Sequence, residues 1–112
     1  MKKCFALLAL LAIMGTSFAN GRHTSTITGY VPYLHNGKAI FIFQLKDNPS
    51  GSCNNTARFA IDQSSPHFKA TQAAVMQAFH SNTPVTVLFN QACSSWVNSW
   101  DAHAVCVGNL PC

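Results

Sequence analysis

Residues 57–89, ARFAIDQSSPHFKATQAAVMQAFHSNTPVTVLF, decide the fold. Ala57 to Asp62 places Phe59 and Ile61 on one side of an extended chain, the period-two pattern of a strand. The period then changes. Ser65 can cap a helix, and Pro66 suits a first turn, where a missing N–H costs nothing. Phe68, Thr71 or Gln72, Val75 and Phe79 recur at helical spacing, while Ala70, Ala73, Ala74 and Ala78 raise helix propensity. Asn82 and Pro84 stop the helix, and Pro84 to Phe89 reads as a strand again.

On the N-terminal side, Thr24 to Leu34 is rich in Thr, Ile, Val and Tyr and alternates imperfectly. Asn36-Gly37 follows, the strongest short hairpin signal, and Ala39 to Leu45 returns as a second strand. Its nearly continuous apolar character predicts a strand covered on both faces. Pro32 lacks an N–H, so the first strand must be bulged, broken or at an edge there. Lys46 to Asn55 is a loop by composition. On the C-terminal side, Asn90 to Trp100 is a polar, aromatic loop, and Asp101 to Val107 gives a fifth strand. The order β-β-β-α-β-β is that of a mainly β, OB-like five-stranded Greek-key barrel with one helix. A simple sheet with one helix laid across it is the rival.

The first nineteen residues, MKKCFALLALLAIMGTSFA, combine a positive start, an apolar run and small residues at Ser17 and Ala19. This predicts a cleaved signal peptide over 1–19 and a single periplasmic or secreted domain over 20–112. The apolar run is too short for the ~20 residues of a spanning helix. Cys53, Cys93, Cys106 and Cys112 remain, an even number in an exported chain, which reads as two disulfides. Three pairings are open. Gly108, Asn109 and Pro111 are turn formers between the last two cysteines, so a local Cys106–Cys112 bridge is expected, leaving Cys53 for Cys93. Their spacing is wrong for a zinc site, and no metal or other cofactor is expected.

After the leader, five basic residues (Arg22, Lys38, Lys46, Arg58, Lys69) face three acidic ones (Asp47, Asp62, Asp101), scattered along the chain. Without a basic stripe, nucleic-acid binding has little support. Glycosidase chemistry needs two placed carboxylates. Ser94 or Ser95 with His103 and Asp101 could make a triad on paper, but no nucleophile elbow accompanies them. A binding module, not an enzyme, is therefore expected. Asp62, just before the helix, should favour the helix N-terminus. The better candidates for function are aromatic: Tyr30, Tyr33, Trp96 and Trp100, since sugars stack an apolar face on aromatic rings beside Asn, Ser and Thr donors. For both tryptophans, packing at the barrel end is the competing role.

The run RFAIDQSSPHFKATQAAVMQAFHSNTPVTVLF, with a cysteine before it and Cys93 after it, and the closing CVGNLPC resemble the B subunits of AB5 toxins of the subtilase cytotoxin and typhoid toxin type. The resemblance implies an OB-fold homopentamer that binds a cell-surface glycan beside a toxin A subunit. In those subunits a hydroxyl residue followed by Gly on the first strand contacts sialic acid. Thr28-Gly29 is the matching pair here, with Thr in place of Ser. The second strand lacks the cysteine of that family, having Ile40-Phe41-Ile42-Phe43 instead. The alternative is a monomeric periplasmic protein that acts through protein–protein contact, such as an inhibitor.

Overall fold

The computed structural model describes residues 20–112; the expected leader, residues 1–19, lies outside the described residues. The elements are β1 (Asn20–Ser25), β2 (Ile27–His35), β3 (Lys38–Leu45), β4 (Phe59–Asp62), α1 (Phe68–Ser81), β5 (Val85–Asn90) and β6 (Trp100–Val107). They form one sheet in the order β1-β5-β6-β4-β3-β2. All neighbours are antiparallel except β4 and β6, where Phe59 and Ala60 lie parallel to Trp100 and Asp101.

The expected first strand is divided in two at Thr26, and this accounts for six strands in place of five. β1 pairs with β5 at one end of the sheet, and β2 pairs with β3 at the other. The same stretch of chain therefore joins both ends, which curls the sheet into the OB-type barrel. A strand serving both ends must change direction. The register shift between Ile27 and Gly29 supplies the bend, and the Lys46 amide donates to the Thr26 carbonyl at 2.9 Å. The imperfect alternation of Thr24 to Leu34 is the trace of this bulge in the sequence.

The Asn36-Gly37 hairpin forms as expected, with φ of 50° and 77°, the left-handed pair that a tight two-residue turn requires. His35 pairs with Lys38 next to the turn, and the pairs alternate from there. Pro32 opposite Phe41 thus falls at a position where its missing N–H faces the free edge of β2 and breaks no bond to β3.

β3 is covered on both faces. Phe41, Phe43 and Leu45 point into the barrel, while Ile40 and Ile42 pack outside with Ala60 and Trp96. Inside, rings follow one another at centroid distances of 5.9 Å (Phe41–Phe43), 5.7 Å (Phe43–Phe59), 5.1 Å (Phe59–Phe89) and 5.1 Å (Phe89–Trp100). The last pair is stacked, with planes 8° apart. Gly21 makes room for this column: a Cβ there would meet the Phe89 ring at 2.6 Å.

α1 closes one end of the barrel. Its buried residues are Thr71, Val75 and Ala78, while Phe79 flanks the interface, edge-on to Tyr30. The stripe at 71, 75 and 78 meets the barrel, and Phe79 lies one residue beyond it. The helix begins later than expected. Its N-cap is His67, whose side chain makes no cap bond, and Ser65 and Pro66 lie in the preceding turn. Asn82 ends it at φ 55°, with its amide turned back to the last carbonyls.

Both expected bridges are present, Cys53–Cys93 and Cys106–Cys112. In the chain-entropy account the longer loop contributes about 3.9 kcal/mol and the shorter about 2.4 kcal/mol. Paired Cys→Ser substitution at 53 and 93 should therefore lower urea stability more than the same change at 106 and 112. Trp100→Ala should cost ~3–5 kcal/mol, since it opens the end of the aromatic column; a loss under 1 kcal/mol in urea unfolding would contradict the packing described.

Candidate functional site

Of the residues between β5 and β6, Trp96 matters most to the surface. Several connections hold this loop around Trp96. Cys93 is bonded to Cys53. The Asp101 carboxylate accepts the Ser94 and Ser95 amides at 2.9 Å each. The Ser99 amide donates to the Trp96 carbonyl at 3.3 Å. The indole is thereby laid against the outer face of β3. Tyr33 meets it edge-on at 5.2 Å and His35 at 5.1 Å, with Tyr33 and His35 stacked at 6.2 Å. The hairpin, which brings Tyr33 and His35, and the β5–β6 loop thus build one half-exposed aromatic cluster.

Beside the cluster runs an open cleft of about 360 Å³ lined by Val31, Tyr33, Ile42, Arg58, Trp96 and Asn98. A second, smaller cleft continues it toward Gly29 and Gln44, sharing Val31, Ile42 and Arg58. The two form one groove with Arg58 at the junction. Arg58 is fixed there through its side chain and its backbone. Its Nε donates to the Thr56 hydroxyl at 3.0 Å and one Nη to the Asn98 side-chain carbonyl at 3.2 Å. Its backbone amide donates to Oδ1 of Asn54, which is fully buried. Thr56 in turn donates to the Asn98 backbone carbonyl at 2.7 Å, tying the β3–β4 loop to the β5–β6 loop.

The sequence candidates divide. Tyr33 and Trp96 stand in the groove. Tyr30 borders its far end, but its ring leans on Phe41 and its hydroxyl lies 3.2 Å from His80 Nε2. Thr28 occupies the bulge and its hydroxyl donates to the Gln44 carbonyl at 3.2 Å, while Gly29 lines the groove. Trp100 is 2% exposed and belongs to the core, leaving no ring face for a ligand. The paper triad is not assembled: Asp101 serves backbone amides, and the His103 ring bonds Asn90. Arg58, Asn98 and His35 join the groove without any motif in the sequence to mark them. Only the assembly of three separate loops gives them a common place.

Asp62 also differs from expectation. α1 has no acidic residue in its first turn, and the Asp62 carboxylate is engaged in the turn before the helix instead. Its carboxylate accepts the Ser64 amide at 2.9 Å and the Ser64 hydroxyl, and lies 3.6 Å from Lys38 Nζ. Burial alone would push its pKa up, but the two Ser64 bonds, the Ser95 hydroxyl and the Lys38 charge together outweigh burial and hold it below the ordinary carboxylate value. Among the described residues no group of three or more His, Cys, Asp or Glu side chains could hold a metal ion. No helix of these residues is long and apolar enough to cross a membrane.

No family model, curated protein or solved structure matches this chain.

Because the folded pKa of Asp62 is depressed, the unfolded chain takes up this proton first as pH falls. The stability contribution is complete above the ordinary value of ~3.9 and is lost as pH drops through the folded value. The Tm of the wild type should fall more steeply below pH 4 than that of Asp62→Asn. Parallel Tm curves down to pH 2.5 would remove this role.

Proposed function

We propose that the protein is an exported glycan-binding module, similar to a toxin B subunit, that takes its ligand in the groove between the β2–β3 hairpin and the β5–β6 loop. The observation that carries this reading is the convergence of Tyr33, His35 and Trp96 on the outer face of β3. OB-type barrels take oligosaccharides and oligonucleotides on this face, between these two loops. A half-exposed indole and phenol beside Asn98 and Gln44 offer what a sugar needs, an apolar platform and orienting polar groups. Oligonucleotides are the weaker fit, because a phosphate chain calls for a track of cations and this groove has Arg58 alone.

Single-site sugar binding is weak, and a ring of identical subunits would supply multivalency. A homopentamer carrying a toxin A subunit is the assembly in keeping with the reading. The two disulfides suit a periplasmic or secreted setting, reached through the leader. A second reading, a monomer that binds another protein, draws on the exposed Leu34 and Val97, at 70% and 71%, on the hairpin and the loop that flank the groove.

A glycan array with oxidised protein, followed by titration of the best hit, tests the first reading. Trp96→Ala and Tyr33→Ala should each weaken that hit at least tenfold with circular dichroism unchanged, while Thr28→Ala should have a smaller effect. An array without hits, together with a monomer by light scattering, would favour the second reading.

A further inference from the structure

Arg58 has chemistry that a neutral sugar would leave unused. The chain has three acidic residues, and none pairs with it. Asp62 faces Lys38, Asp101 faces the Ser94 and Ser95 amides, and Asp47 makes no ion pair. The guanidinium is half-buried and held by two neutral acceptors, Thr56 and Asn98. These fix its plane without cancelling its charge, and the other Nη has no hydrogen-bond partner among the described residues. A cation immobilised in this way is suited to a planar pair of anionic oxygens, because the fork is already oriented and little freedom is lost on binding.

Its place along the groove adds a second constraint. Arg58 is at the junction of the two clefts, not at an end. The Tyr33–Trp96 platform lies on one side, and the Val31, Ile42 and Gln44 surface continues on the other to Gly29. From Gly29 to Tyr33 the strand rises ~13 Å. An anion at Arg58 would therefore have ligand on both sides of it.

We propose that the groove binds an extended acidic oligosaccharide through an internal carboxylate- or sulfate-bearing unit at Arg58, with one neighbouring unit on Trp96 and Tyr33 and the other over Val31 and Ile42. This rests on the glycan reading above and goes further, to the class and direction of the ligand.

The test is calorimetric titration of oxidised protein with an oligogalacturonate hexamer, the same hexamer after carboxyl reduction, a sulfated carrageenan hexamer, sialyllactose and a single-stranded dT12. At least one acidic hexamer should bind tenfold or more tighter than the reduced one and tighter than sialyllactose; the better of the two identifies the anion. Arg58→Gln should abolish the difference between acidic and neutral hexamers, whereas Arg58→Lys should keep part of it. Circular dichroism checks that the variants fold. Equal binding of acidic and reduced hexamers would overturn the proposal and leave the glycan reading intact. Tighter sialyllactose would overturn the internal placement. Tightest binding of dT12, or binding of no glycan, would overturn the proposal together with the reading it rests on.

Discussion

The structure depends on one bend. Thr26 and the bulge after it let a single run of chain pair with β5 through its first half and with β3 through its second. Without this change of direction the sheet would have to end at β3 or at β5, and the aromatic column inside it would lie open to water. Closure turns five buried rings into a continuous core and turns the outer face of β3 into a surface that loops must cover. A barrel also has fewer open edges than a flat sheet. Of the two short edges that remain, along β1 and β2, the second carries Pro32 with no donor to offer there.

The surface site is a consequence of how that outer face is covered. Ile40 and Ile42 are as apolar as the core residues beside them, and the β5–β6 loop is drawn across them by a disulfide, by Asp101 and by the indole of Trp96. The covering is incomplete. It leaves a groove in which aromatic faces, side-chain amides and one guanidinium are all held by contacts made elsewhere. Asn54, fully buried in the β3–β4 loop, is part of this support, since it fixes the backbone from which Arg58 projects. Side chains held this way lose little freedom when a ligand arrives.

Much of the fold was legible because local signals agreed. The hairpin at Asn36-Gly37, the double-faced apolar run of β3, the strand–helix–strand order and the local cysteine pair all point to the same barrel. What escaped was long-range. The division of the first strand depends on closure between residues far apart, for which alternation gives only a blurred hint. The choice of Ala78 over Phe79 for the buried helix face depends on the angle at which α1 meets the barrel. The tryptophans, both aromatic residues of one loop, separate into core and surface only because Trp100 follows the strand turn inward onto Phe89. Arg58 looked like one of several scattered cations; its isolation from every carboxylate is a property of the folded chain alone.

The Cys53–Cys93 bridge has a mechanical consequence. It spans 40 residues and encloses β4, α1 and β5. If the chain is pulled from its ends, tension passes through the bond and bypasses everything between. Roughly 140 Å of contour stays hidden while the bond is intact. Under tension the domain would lengthen only by releasing β1 to β3 and the C-terminal strand, keeping the helix and its flanking strands out of the path of the force.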